Sequence, residues 1–206
     1  MSTALSGFHR HRRSGRVIAN FTGFEADLLR SLAGQLVELL RNEAAVPRED
    51  ADPFEALMDF TGPTQEPEDP VLARLFPTAY PDDEEAAGDF RRFTEGALRD
   101  GKAAAAVTVI ETLEDAGLPR ELTEDGLMID VELDEPTAET WLRSFTDVRL
   151  ALATRLEVEE GDEARWAALP DDDPRAQAHD IYEWVGYLQE TLVDALSDRH
   201  GGAAGR

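Results

Sequence analysis

Four histidines, no cysteine and many scattered carboxylates are the chemical resources of this 206-residue chain. Their spacing suits no common catalytic arrangement. His9 and His11 lie in an aperiodic N-terminal stretch and His200 near the other end, so only His179, beside Asp180 at the start of a helical pattern, has an ordered context. A helical di-iron carboxylate site needs Glu-x-x-His pairs, and the chain has none. The acidic runs DDEE (82–85), EEGDE (159–163) and DDD (171–173) lack the spacing of a calcium loop and read as solvated turns and negatively charged helix starts. Glycine-rich phosphate loops, nucleophile elbows and kinase motifs are absent, and Ser144, Thr146 and Asp147 have no histidine near them in sequence. Zero cysteine removes disulfides, thiolate metal sites and thiol redox chemistry. The expectation is a non-enzymatic protein with no catalytic, cofactor-binding or metal-ligating residue; a hydrolase built from scattered carboxylates is the remotest alternative.

The unusual residues are polar ones set inside apolar helical stripes. In WLRSFTDVRLALATRLEV (141–158), Trp141, Leu142, Phe145, Val148, Leu152 and Leu156 share one face, and Arg149 sits in its middle. The final helical segment repeats the pattern forty positions on, with Ile181, Tyr182, Val185, Leu188, Leu192 and Leu196 on the stripe and Gln189 in the place of Arg149. A guanidinium on an apolar face must be paired, reach water or await a partner. Gln189 can accept from Arg149, with Glu190 or Asp147 supplying charge balance. Trp184 and Tyr187 fall on the opposite face, which requires either a second packed layer or an exposed aromatic patch.

The elements that must position these residues are mostly helices. RVIANF (16–21) alternates as a strand, Thr22 and Glu25 form a capping box, and Phe24, Leu28, Leu32, Leu36, Leu39 and Leu40 predict the buried face of a helix ending near Pro47. Asp52-Pro53 and Asp69-Pro70 predict short helices, FEALMDF and VLARLF. From Asp82 to Ala116 the pattern is helical, with Phe90, Phe93, Ala97 and Leu98 inward, a break or kink at Gly101, and then a new stripe through Ala103, Ala106, Val107, Ile110 and Leu113. LMIDVEL (127–133) reads as a second strand pairing with 16–21. Helices over about 136–157 and 175–198 start from Asp134 with Pro136 and from Asp173-Pro174. The fold class is mainly α, with five or six helices and a minor two-stranded element, in one domain over 15–199. Residues 1–14 and 200–206 are expected as tails.

Charge is lopsided. The net value is −24, yet the first 24 residues hold Arg10, Arg12, Arg13 and Arg16 and no acid, so the acidity belongs wholly to the rest of the chain. Such a body repels nucleic acid and anionic lipid and favours basic partners. The arginine arm is the only candidate for nucleic-acid contact, and direct DNA binding through it is the first alternative function. No signal-like or membrane-spanning run is visible, which gives no membrane partner and a cytoplasmic default.

The run Trp141-Leu142-Arg143, Asp147, Arg149-Leu150-Ala151-Leu152 and Thr154-Arg155-Leu156, followed by Tyr182, Trp184, Leu188-Gln189-Glu190 and Leu192-Val193, resembles the actinobacterial family named for the oxidative-stress regulator AosR, long catalogued as a domain of unknown function. The resemblance covers roughly residues 16–198. It implies a cytoplasmic transcriptional regulator acting through contact with a sigma factor or RNA polymerase on stress-response genes, and the charge balance leaves nucleic acid involved at most indirectly. It adds Arg143 and Arg155 to the structural or partner-binding set of Trp141, Asp147, Arg149, Tyr182, Trp184, Tyr187, Gln189 and Glu190. Cysteine redox sensing, which the resemblance implies for the namesake, has no chemical basis in a chain without cysteine.

Overall fold

The computed structural model describes residues 7–42, 63–122, 126–170 and 172–198. The elements run β1 (His9–Arg10), β2 (Val17–Thr22), α1 (Gly23–Asn42), α2 (Pro70–Leu75), α3 (Glu84–Asp115), β3 (Met128–Leu133), α4 (Glu135–Leu156), α5 (Glu163–Ala167) and α6 (Pro174–Ser197). Six helices among the described residues and a three-stranded antiparallel sheet of order β1-β2-β3 make the fold mainly α. The segments FEALMDF and 200–206 lie outside the described residues, as do 1–6 of the expected tail.

Local sequence sets most of the helix starts. The Thr22 hydroxyl accepts from the Glu25 amide at 3.2 Å while the Glu25 carboxylate accepts from the Thr22 amide at 2.7 Å, a reciprocal capping box. Asp69, Asp134 and Asp173 cap α2, α4 and α6, each with a proline in the first two helical positions, where a missing N–H costs no hydrogen bond. Strands β2 and β3 pair from Val17 opposite Leu133 to Thr22 opposite Met128. That register places Val17, Ala19 and Phe21 beside Ile129, Val131 and Leu133 on the buried face.

The N-terminal stretch corrects one expectation. Residues 7–14 are not a loose tail: β1 pairs with β2, and the Phe8 amide donates to Thr191 Oγ1 of α6 at 3.1 Å. The buried Phe8 ring meets Phe21, Trp141 and Phe145, with centroids 5.7, 5.7 and 6.0 Å away. One aromatic residue in an otherwise polar stretch is too weak a pattern to announce this packing.

Helix α3 corrects two more. It runs unbroken through Gly101 for 32 residues. A single exposed glycine costs about 1 kcal/mol relative to alanine, too little to break a helix whose next four residues are alanines bar one lysine. The apparent change of phase was an error of face. Arg91, Glu95 and Arg99 point inward, and their i, i+4, i+8 row continues into Ala103, Ala106, Val109 and Leu113 as one stripe. Phe90 and Phe93, expected inside, are 44% and 70% exposed, and Ala97 and Leu98 are exposed with them.

Helix α1 is also rotated from expectation. Phe24 is 72% exposed, and the inner face runs through Ala26, Leu29, Ala33, Leu36, Val37 and Leu40. The helix packs chiefly on α3, whose inner surface carries Ala103 and Ala106, and small residues on both sides allow the backbones to approach closely. Helix α5 answers to no sequence signal beyond the acidic run EEGDE, which reads equally well as a turn.

Candidate partner-binding surface

Helices α4 and α6 pack side by side, and the forty-residue correspondence between them becomes a physical pairing. Arg149 Nη1 donates to Gln189 Oε1 at 2.8 Å, and Gln189 Nε2 in turn donates to Thr146 Oγ1 at 2.8 Å. Arg149 Nη2 reaches the Tyr182 hydroxyl at 3.4 Å, and the guanidinium lies over the Tyr182 ring, 5.1 Å from its centroid. The expected carboxylate is missing from this group. Asp147 turns to α3 and pairs with Lys102 Nζ at 2.6 Å, and no contact joins Glu190 to Arg149 among the described residues. The tyrosine ring and an amide carbonyl hold the cation where a carboxylate was expected, because Arg149 is only half-buried and keeps part of its hydration.

The remaining sequence candidates scatter. Trp141 is wholly buried, its indole N–H 3.4 Å from Thr112 Oγ1. Trp184 and Tyr187 are half-buried and packed against the core, so α6 is covered on its second face. Arg143 is exposed and bonds Thr140 Oγ1 at 2.8 Å. Arg155 pairs with the α2 cap Asp69 at 2.6 Å and lines a 360 Å³ groove between α1 and α4, floored by Leu36, Val71, Val148 and Leu152. Burial raises the Asp69 pKa, but hydrogen bonds from Arg155 and from the Val71 and Leu72 amides outweigh it and leave the carboxyl below its ordinary value.

The arginine arm is partly committed to the fold. Arg10 Nε donates to the Ala195 carbonyl at 3.1 Å, its Nη1 to the Gly15 carbonyl at 2.6 Å, and Arg16 pairs with Glu132 at 3.1 Å. Arg12 and Arg13 stand exposed on the turn between β1 and β2.

Two features escaped the sequence reading. The first is a buried ionic ladder on α3. Glu95, 1% exposed, accepts from Arg91 at 2.7 Å through one oxygen and from Arg99 at 2.7 and 2.9 Å through the other. Arg91 also donates to the Phe76 carbonyl at the end of α2, at 3.1 and 3.2 Å, and Arg99 to the Leu40 carbonyl in the last turn of α1, at 3.3 Å. The guanidiniums thus complement the negative ends of two helices, and this explains why charges face inward here. Spacing of i, i+4, i+8 with alternating sign was the available signal, but on a surface helix the same spacing is ordinary.

The second feature follows from the first. With the charged row inside, the opposite face of α3 presents Phe90 and Phe93 to solvent. Tyr80 joins them with its ring 5.9 Å from that of Phe90, and Arg92 lies over the Phe93 ring at 5.0 Å. Leu98 is half exposed one turn on. Clustered exposed aromatics flanked by arginine are the composition of protein-binding hot spots. Among the described residues no group of three or more His, Asp or Glu is placed to hold a metal ion, and no helix is long and apolar enough to cross a membrane.

Comparison with known proteins places the chain. The family model described as a domain of unknown function, DUF2017, matches residues 5–196. The putative oxidative stress regulator AosR of Mycobacterium leprae is 36% identical over 189 residues, spanning 84% of this chain and 78% of the relative. The oxidative stress regulator AosR of Mycobacterium tuberculosis is 32% identical over 202 residues, spanning 90% and 84% respectively. No solved structure matches. With the family model spanning nearly the whole chain and similarity to these regulators running along most of its length, the protein belongs to the DUF2017 family, the one that contains the oxidative stress regulators AosR.

Proposed function

We propose that this protein is a cytoplasmic regulator of the oxidative stress response that acts by binding another protein, a sigma factor or RNA polymerase, rather than by catalysis. The relatives' names support the stress-response role. The observation that carries the mode of action is the outward aromatic face of α3: Phe93 at 70% exposure and Phe90 at 44%, beside Tyr80, have no covering element among the described residues. A chain with this much surface charge has no folding reason to expose two phenylalanines three residues apart, and covering the exposed part of each against a partner returns roughly 1–2 kcal/mol.

DNA binding through the arm has weaker support, because Arg10 bonds the Ala195 carbonyl and Arg16, though exposed, pairs with Glu132, which leaves Arg12 and Arg13 as the exposed arm residues with no ion pair among the described residues. The test is genetic. In a strain lacking the gene, wild type should restore survival under peroxide, while Phe90→Ser with Phe93→Ser should not, and Arg12→Ala with Arg13→Ala should. The reverse outcome would favour the arm.

A further inference from the structure

The sheet has two edges, and the fold closes one of them. At β1 the Phe8 amide is taken by Thr191 Oγ1, and α6 lies alongside. The phase of the β2–β3 ladder shows what the other edge offers. The Gly23 amide donates to the Leu127 carbonyl at 2.7 Å, and the bonded pairs of an antiparallel ladder recur at every second residue. Ile129, Val131 and Leu133 therefore bond β2 through their backbone groups, while the N–H and C=O of Met128, Asp130 and Glu132 point away from it. Thr22, opposite Met128, agrees with this phase, because its amide turns off the ladder to the Glu25 carboxylate. Among the described residues no hydrogen bond reaches the outward groups of β3.

An apolar patch adjoins this open edge. Met128 is 52% exposed, Phe24 72% and Leu122 37%. They gather at one end of the strand: Met128 pairs with Thr22, Phe24 follows two residues on, and a β-carbon on the intervening Gly23 would come within 3.1 Å of Leu122. Further along β3 stand two exposed carboxylates, Asp130 and Glu132. Their contacts come from the β2 side, where Asn20 donates to Asp130 and Arg16 pairs with Glu132. An unpaired strand edge beside exposed apolar side chains is a template for another strand.

We infer that β3 is the docking edge for an extended, basic segment of a partner protein, added as a fourth strand in the more stable antiparallel sense. A second copy of this chain fits poorly. Full overlap of β3 with its own copy sets Asp130 against Asp130 and Met128 against Glu132, and like charges directly opposite each other are destabilising. A strand with an apolar residue opposite Met128 and basic residues opposite Asp130 and Glu132 suits all three positions, and its backbone completes the ladder. The edge does not use the Phe90–Phe93 face, so it stands or falls separately from the reading above.

The probe is an acetylated, amidated peptide, Thr-Arg-Val-Arg-Val-Ile-Thr, whose arginines fall opposite Glu132 and Asp130 and whose isoleucine falls opposite Met128. Two comparators carry backbone N-methyl groups, one on both arginines, whose N–H groups face β3, the other on both valines, whose N–H groups face away. Affinities are measured by NMR titration of the full chain, and amide hydrogen exchange is followed with and without peptide. In the free protein the amides of Asp130 and Glu132 should exchange fast and those of Ile129 and Val131 slowly, and the peptide should slow the first pair. The arginine-methylated peptide should bind at least about tenfold more weakly than the valine-methylated one. Asp130→Lys should weaken the unmodified peptide about fivefold, with circular dichroism unchanged. Equal binding by the two methylated peptides, protection that falls away from β3, or no saturable binding would overturn the inference. Protection of the Asp130 and Glu132 amides that rises with protein concentration alone would overturn it too, by giving the edge to a second copy.

Discussion

The guanidinium of Arg149 lies flat against the α-carbon of Gly186: a β-carbon there would come within 3.3 Å of Cζ, Nε and Nη2 at once. A buried glycine within α6 is otherwise unfavourable by about 1 kcal/mol relative to alanine, so the close seat of the cation accounts for it. The guanidinium is pinned on its other sides by Gln189 and the Tyr182 ring and cannot easily retreat.

A double-mutant cycle follows from that relationship. Gly186→Ala should destabilise the wild type, yet stabilise the Arg149→Ala background by up to about 1 kcal/mol, because helix propensity is then unopposed. Arg149→Ala alone should cost roughly 1–2 kcal/mol, the range for a half-buried hydrogen-bonded group whose partners regain water. Denaturant melts of the four proteins measure this, and additivity would show that the two residues do not meet.

Phe8 is expected to be a core residue despite its place near the start of the chain. Phe8→Ala should cost about 3–5 kcal/mol, since it empties the space bounded by Phe21, Trp141 and Phe145. A melting temperature unchanged by this substitution would return residues 7–10 to the status of a tail.

What the sequence made legible was decided locally. Caps at Thr22, Asp69, Asp134 and Asp173 are signalled by side chains within three or four residues of the amides they satisfy, and the two paired strands alternate as a half-buried sheet must. The Arg149–Gln189 pairing was legible because both residues interrupt otherwise apolar stripes at equivalent places. The inner face of α3 was not, because a hydrophobic stripe is a reliable guide only while charges stay outside. There Arg91 and Arg99 share the Glu95 carboxylate of their own helix and reach helix-end carbonyls on other elements, those of Phe76 and Leu40. The aromatic face is hidden by the same inversion of charged and apolar sides.

Glu95 is the keystone of that ladder, and its removal leaves two buried guanidiniums facing each other. Glu95→Ala should destabilise by about 3–5 kcal/mol, whereas replacing Arg91, Glu95 and Arg99 together with methionine, leucine and methionine should recover most of that loss. Chemical denaturation checks both variants. A triple variant less stable than the single one would mean that the ladder contributes more than the desolvation it requires.

Acid should remove the stability that the helix caps contribute. The Asp173 carboxyl, bonded by the Arg175 side chain and backbone amide, is held at about 2, and Thr137 lowers that of Asp134. A folded-state value below the ordinary 3.8 means that the unfolded chain binds the proton more readily. The caps' contribution is therefore complete above that ordinary value and is lost as pH falls through the folded value. Carboxyl-carbon resonance titration should place the Asp173 midpoint near 2, and a midpoint near 4 would show that the cap does not hold in solution.

The central claim, action through protein contact at the α3 face, meets its most direct test in purified binding. RNA polymerase core and holoenzymes carrying the stress sigma factors of the same organism are immobilised, and this protein is passed over them as wild type and as Phe90→Ser, Phe93→Ser. The account predicts saturable binding by wild type and a loss of at least about tenfold in the variant, with its melting temperature nearly unchanged because Phe93 is largely exposed and Phe90 loses little beyond its edge contact with Tyr80. Binding that is indifferent to the two substitutions, in a variant that melts like wild type, would contradict it.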